Sequence, residues 1–381
     1  MADGTLQPAV FPEIVGDAPF REVPLRHEEE DYVLWLGKEA SSGLLSGVLK
    51  RILRLPDLML EESDALRLEG GLAPAVRSSR CRFDHETACS RPPLEELLQL
   101  TTAGASSQHA HGGLCTAYGP RVSNQDSYIC CAEWGSIAKS PASLFAVCDG
   151  HGGGVVSENL PAMLSRELAA LGELEEGRLV EAVEAIFVEV DEQLHKSLDA
   201  AAERCGSTCA LCLSWPVGGA YRILLANLGD SRALLYRARG DWEHLTETCD
   251  HKPDVVKEKK RIRAAGGYVL PSDEDNPARL DAVLATSRAF GNFRFKDVSH
   301  SPGTRKVSPV PDVTVLDARA GDVIVLATDG VLDVLSSSQV ANFAVRGLAA
   351  GAVEAAADVV WEALQAQTQD NVTCAVIRLG S

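Results

Sequence analysis

The sequence predicts an α+β protein: a four-layer α-β-β-α sandwich with a central pair of mainly antiparallel sheets, preceded by a mostly helical N-terminal extension. Short apolar runs ending in turn residues dominate the chain after about residue 106, at Leu144 to Cys148, Tyr221 to Asn227, Val323 to Thr328 and Val372 to Leu379, and read as buried strands. Helical patterns come in pairs around them. One pair runs through Leu160, Met163, Leu164 and Leu168, then Leu179, Val183, Ile186, Phe187, Val190 and Leu194; the other carries Val340, Phe343 and Leu348 behind a Ser338 cap, then Val353, Val360, Trp361 and Leu364. Each sheet of a stacked pair has an outer face that must be buried, so strands set between helical pairs imply helix, sheet, sheet, helix.

In chain order, residues 1–106 have few alternating strand patterns and several acidic clusters, such as Glu28 to Asp31, and read as an extension with a regulatory or docking role. Within it Leu44, Leu45, Val48, Leu49, Ile52 and Leu53 recur at helical spacing with Lys50, Arg51 and Arg54 between them, until Pro56 interrupts the pattern. An amphipathic helix packed on the main domain is preferred there over a membrane-surface or partner-binding helix. Thr101 to Gly113 is rich in small and polar residues and reads as a linker into the main domain, residues 107–381. Ser231 to Tyr236 follows the Tyr221 to Asn227 run across Leu228-Gly229-Asp230, which predicts a hairpin with Asp230 in its turn. Asp333 is assigned to a helix start, and Cys205, Cys209 and Cys212 to the core, because a soft-metal site normally needs a fourth ligand.

Composition narrows the function. With 36 Lys and Arg against 54 Asp and Glu, the net charge of -18 repels phosphate backbones and argues against broad nucleic-acid binding. No apolar run is long enough to predict a membrane span. The 11 cysteines lack a double CxxC spacing and the N-terminus lacks a secretory profile, so an intracellular protein, cytoplasmic or nuclear, with reduced thiols is expected.

The sharpest feature is Val147-Cys148-Asp149-Gly150-His151-Gly152-Gly153, where an apolar strand runs straight into an acid, a glycine and a histidine. A glycine beside an acid lets a main-chain carbonyl and a carboxylate approach one ion together, which suits magnesium or manganese. An ordinary Asp-Gly turn is the plain alternative. The construction recurs at Asp329-Gly330 after Val323 to Leu326; Asp370 stands before the final strand, and Asp126 follows Asn124 and Gln125 near the start of the domain. Four strand-end acids make coincidence less attractive.

From residue 107 to 381 the chain resembles the metal-dependent phosphatase family called PP2C or PPM. The resemblance rests on motifs in family order: Arg121-Val122-Ser123-Asn124-Gln125-Asp126, Asp149-Gly150-His151-Gly152-Gly153, Gly206-Ser207-Thr208, Asn227-Leu228-Gly229-Asp230-Ser231-Arg232, Asp250-His251-Lys252-Pro253, Ser287-Arg288-Ala289-Phe290-Gly291-Asn292, Asp329-Gly330 and Asp370-Asn371. It implies a protein serine/threonine phosphatase that hydrolyses phosphoserine and phosphothreonine through a binuclear magnesium or manganese centre and a metal-activated water. On that resemblance Asp149 bridges two ions, the Gly150 carbonyl binds one, and Asp329 and Asp370 complete the shell of the second. Asp126 reaches the ions through water, as does Gln125 in a position often held by Glu. Asp250 joins Asp329 at a weaker third site, Arg121 grips the substrate phosphate, and His151 supplies the leaving-group proton.

The residue types suit this chemistry in their own right, since phosphoryl transfer asks for positioning and charge neutralisation and a guanidinium offers paired donors to phosphate oxygens. Read singly, Arg121 is a surface ion-pair residue and His151 a turn residue. The sequence departs from the family pattern at Cys209, Leu332 and Asn292, the last beside a flap expected over 292–310, where Arg294, Lys296, Arg305 and Lys306 are candidates to meet an acidic phosphopeptide. The rival class is a pseudophosphatase scaffold; retention of every carboxylate argues against it, because a buried acidic cluster without cations is costly.

Overall fold

The computed structural model describes residues 20–27, 30–38, 71–78, 100–198, 202–239, 241–273 and 276–380. The first three segments, β1 (Phe20–His27), β2 (Glu30–Lys38) and β3 (Gly71–Ser78), pair antiparallel as a small sheet. The described part of the N-terminal region is therefore strand where helix was expected, and the helix predicted at Leu44 to Leu53 lies outside the described residues.

The linker expectation for Thr101 to Gly113 is also overturned. β4 (Leu100–Ser106) and β5 (Ala110–Ala117) form a hairpin, with Leu100 opposite Ala117 and Ser106 opposite His111. Small residues read as linker because they punctuate loops, yet here they let the sheet approach a helix: a Cβ on Gly113 would lie 2.1 Å from Val353 N.

β6 (Ser127–Ile137) and β7 (Ser140–Cys148) come next, then the two-residue β8 (Gly150–His151) and helix α1 (Val155–Leu168). Helix α2 (Leu179–Ser197) leads to β9 (Gly206–Ser207), β10 (Cys209–Val217) and β11 (Ala220–Leu228). Beyond lie β12 (Arg232–Arg239), β13 (Asp241–Glu247), α3 (Val256–Ala264), β14 (Val269–Leu270), β15 (Arg279–Leu280) and β16 (Phe290–Gly291). β17 (Asp312–Ala318), β18 (Val323–Ala327), the single turn α4 (Asp329–Leu332), α5 (Ser337–Leu348), α6 (Ala352–Gln365) and β19 (Val372–Leu379) complete the chain. The cap of α5 is Ser336, whose hydroxyl accepts from the Gln339 N–H while the Gln339 side chain reaches back, two residues before the expected Ser338.

Two antiparallel sheets carry the fold, one ordered β17-β11-β10-β7-β6 and the other β13-β12-β18-β19-β5-β4. Along β10, Cys209, Leu211, Leu213 and Trp215 join a core with Leu160, Leu164, Val183, Phe187 and Val190 of α1 and α2. The alternate residues Ala210 and Cys212 meet Ile324, Leu326, Ala375 and Ile377 of the other sheet. On the far side Val323, Val325 and Ala327 pack with Val340 of α5 and Val359, Val360 and Ala363 of α6. Strands buried on both faces lose the apolar-polar alternation, which is why they read as continuous apolar runs. A fourth cluster, with Ile262, Leu280, Leu284, Phe295 and Val307, organises residues 256–307 beside the sandwich.

The hairpin expected between β11 and β12 does not form. β11 pairs with β10 and β17, and β12 with β13 and β18, so Leu228-Gly229-Asp230-Ser231 crosses from one sheet to the other. Gly229 takes φ +104°, and its N–H donates to His251 Nδ1 at 3.0 Å. Two antiparallel strands in sequence favour a hairpin locally, but two stacked sheets offered each strand a better-buried neighbour.

Candidate active site

Strand ends from both sheets meet at one edge of the sandwich. β7 delivers Asp149, whose N–H donates to Thr208 Oγ1 at 3.1 Å while its carbonyl accepts from Thr208 N at 2.9 Å. The chain continues into a three-stranded miniature sheet, β16-β9-β8, in which His151 faces Gly206 and Gly291 faces Gly206 from the other side. Gly150 has to be glycine on packing grounds: a Cβ there would sit 2.3 Å from the Gln125 carbonyl oxygen. β18 delivers Asp329 and β19 begins just after Asp370 and Asn371.

Asn371 fixes the loop that carries the remaining site residues. Its Oδ1 accepts from Gln125 N at 2.9 Å, and its Nδ2 donates to the carbonyls of Tyr118 at 2.8 Å and Ser123 at 2.9 Å. Gly119, at φ +59°, comes so close to the Asp370 carbonyl that a Cβ would lie 2.2 Å from it. Arg121 is thereby brought to Asp370: Nη2 donates to Asp370 Oδ2 at 2.7 Å and Nε to the Gln369 carbonyl at 2.8 Å. The second Asp370 oxygen accepts from Asn371 N at 2.7 Å.

Asp126 Oδ2 accepts from Thr373 Oγ1 at 2.5 Å, while its buried Oδ1 has no protein partner. Burial pushes its carboxyl up to about 7, against the pull of the Thr373 hydroxyl. Burial, followed by repulsion from Asp329, Asp126, Asp230 and Asp370, raises Asp149 well above the carboxylate range. Asp329 rises to about 8 through burial and the charges of Asp230, Asp333 and Asp370, with Lys252 opposing. Asp126, Asp149, Asp329 and Asp370 thus share one electrostatic environment that lacks enough positive charge.

Asp230 and Asp333, set aside on sequence grounds, belong to this environment. The crossing at Gly229 places Asp230 beside the acids, where it accepts from Lys252 Nζ at 2.6 Å. The signal in the sequence was weaker than at Asp149 and Asp329, an acid after an apolar run but preceded by Gly229 rather than followed by a glycine, and the assumed hairpin hid it. Asp250 is paired, both its oxygens accepting from Arg232, each at 2.9 Å, while its charge still reaches Asp333. Of the basic residues expected to face substrate, Lys296 is buried against Asp191 at 2.7 Å and Lys306 binds Asp281 at 2.8 Å; Arg294 is exposed, its guanidinium over the Phe295 ring.

His151 is partly buried, and burial lowers its pKa, with the Asn292 hydrogen bond and Asp230 opposing. Its Nε2 lies 2.6 Å from Asn292 Oδ1.

Among the described residues, no three His, Cys, Asp or Glu side chains are arranged so that they alone could hold a metal ion. The donor set nevertheless fits hard divalent ions: carboxylates raised by burial and by mutual repulsion, a backbone turn at Gly150 and an orphaned Asp126 oxygen are what two cations with several water ligands would satisfy.

A sequence profile described as Protein phosphatase 2C matches residues 110–372. The chain is 33% identical over 263 residues to "Protein phosphatase 2C homolog 3" of Schizosaccharomyces pombe, covering 68% of this chain and 59% of that one. It is 33% identical over 299 residues to the human "Probable protein phosphatase 1N", covering 73% and 65%. The chain thus spans less than two thirds of the length of these relatives. A phosphatase structure from Toxoplasma gondii superposes with a TM-score of 0.64 at 24% identity, over 74% of this chain and 96% of that one, a likeness of fold.

Proposed function

The chain belongs to the protein phosphatase 2C family, and from that premise we propose that it hydrolyses phosphoserine and phosphothreonine in proteins, using two magnesium or manganese ions. The observation that carries this reading is the convergence of Asp126, Asp149, Asp329 and Asp370, all with raised pKa, at one corner. Asp149 and the Gly150 carbonyl would hold the ions with Asp329 and Asp370, and Asp126 would act through water. A weaker third ion would go to Asp329 with Asp230 and Asp333, whose charges it feels, rather than to Asp250, which Arg232 neutralises. Bound divalent ions supply charge neutralisation and an activated water.

The chain's own residues orient the rest. Arg121 keeps Nη1 free of protein acceptors among the described residues, so one planar fork can hold a phosphate oxygen while Nη2 stays on Asp370. The Asn371 bonds keep that fork in place, because the loop they tie carries Arg121, Gln125 and Asp126 together. His151 protonates the departing serine or threonine oxygen, an alkoxide that leaves poorly without a proton. Residues before Leu100 take no part in this chemistry and are assigned to regulation or docking. Hydrolysis of a phosphopeptide with manganese, and with excess chelator, tests the reading: turnover undiminished by chelator would overturn it.

A further inference from the structure

Asn292 departs from the family pattern, lies in none of the groups assigned so far, and is fully buried in a left-handed conformation at φ +52°. Its environment specifies its orientation. Nδ2 donates to the Arg204 carbonyl at 3.0 Å and the backbone N–H to the Cys205 carbonyl at 2.7 Å. An amide with its NH2 on a carbonyl must present oxygen on its other side, so the contact with His151 Nε2 requires the imidazole to be the donor. The neighbouring strand leaves no slack: a Cβ on Gly206 would lie 2.1 Å from Asn292 Oδ1 and 2.5 Å from His151 Nε2.

The segment is braced from behind. Asp191 of α2 accepts at one oxygen from Gly291 N at 2.8 Å and from Lys296 Nζ at 2.7 Å, and Lys296 also donates to the Ala289 carbonyl at 2.8 Å. A buried ion pair therefore ties both flanks of Asn292 to a core helix.

We propose that Asn292 is the positioning residue of the acid: by holding Nε2–H it fixes the ring and its tautomer, so that Nδ1 is the atom that carries the transferable proton. This rests on the reading of His151 as leaving-group acid. In the step, water supplies an oxygen to phosphorus, the phosphorus–oxygen bond to serine or threonine breaks, and its electron pair takes the Nδ1 proton. The imidazolium becomes the neutral Nε2–H form, still bonded to Asn292, and regains its proton from solvent.

Asn292→Gly deletes the amide while tolerating the left-handed backbone, and Asn292→Asp keeps an acceptor in a residue that also tolerates it. Rates would be measured at saturating manganese on a phosphopeptide and on aryl phosphates of graded leaving-group acidity, with melting curves for every variant. For Asn292→Gly the phosphopeptide rate should fall roughly 10- to 100-fold, part of the ~10²–10⁴ that a positioned acid contributes. The loss should shrink as the leaving group becomes more acidic. Asn292→Asp should restore most of the phosphopeptide rate, and Asn292→Gly added to His151→Ala should cost nothing further, because the first acts through the second. Equal losses on all substrates, or a double variant worse than His151→Ala, overturn the inference even if His151→Ala is itself selective for poor leaving groups. If His151→Ala is not selective, the acid reading falls and takes this inference with it.

Discussion

Two groups of buried carboxylates treat charge in opposite ways. At the strand-end corner Asp126, Asp149 and Asp329 are all pushed up, by burial and by neighbouring acids. Beneath the segment at 287–312, Glu258 is buried too, yet Arg288 and Arg261 and the Ser287 hydroxyl overrule burial and hold it at about 2. Arg288 donates to Glu258 Oε1 at 2.7 Å and to Asp312 Oδ1 at 2.7 Å, and Asp312 is likewise held low by His251 and Arg288, against its own burial. The second group satisfies its charges with protein cations and is structural. Among the described residues the first has Lys252 and Arg121 against Asp126, Asp149, Asp230, Asp329, Asp333 and Asp370, an excess of negative charge that the proposed cations would offset.

The largest effect expected from this contrast is Asp329→Asn. It should lower phosphopeptide turnover by roughly 10³-fold or more, since several kcal/mol of charge stabilisation depends on a fully liganded site. In chelator the same variant should melt above wild type, because a repelling charge is gone. A variant that keeps wild-type turnover would remove Asp329 from the site. Glu258→Gln should do the reverse, costing about 3–5 kcal/mol by stranding two buried guanidinium groups.

Acid should separate the two groups further. A carboxylate held below its ordinary 4.5 contributes stability above that value and loses it as pH falls towards about 2, so the wild-type protein should lose stability over that window and Glu258→Gln should not show this component. Parallel acid titrations of the two proteins would contradict the assignment.

Manganese at ~100 times its dissociation constant should stabilise the wild-type protein by about 2.7 kcal/mol, a melting shift of several degrees. Asp149→Asn should show little shift and Glu258→Gln a full one, as measured by calorimetry; equal shifts in both variants would show that the ion binds elsewhere. The smallest effect is expected on removing residues 1–99, which leaves β4 in its sheet and should alter hydrolysis of a small aryl phosphate less than about threefold. Cutting after Ser106 instead deletes that strand, including the buried Leu100, and should lower the melting temperature more. Loss of all activity in a folded protein starting at Leu100 would place the preceding region in the catalytic architecture.

The sequence by itself determined the class of most elements after Ala117 and the kind of residue that gathers at the strand-end corner. Doubly buried strands such as β7 and β18 announce themselves as apolar runs, and an acid followed by glycine at the end of such a run is a local signal, so Asp149 and Asp329 were legible from a few residues each. What it could not determine were the partners of residues far apart in the chain. Asp230 joins the acids only because β11 and β12 belong to different sheets, a choice made by burial between layers. Lys296 looked like a substrate contact until Asp191, a hundred residues earlier, was found across from it at 2.7 Å. Asn292 read as a departure bearing on substrate choice beside the flap, and the fold set its amide on His151 instead. Covalent neighbours and periodicity fix what a residue is able to do; which charge or donor it meets is decided by packing, because hydrogen bonds and ion pairs act over a few ångströms in space whatever the separation in sequence.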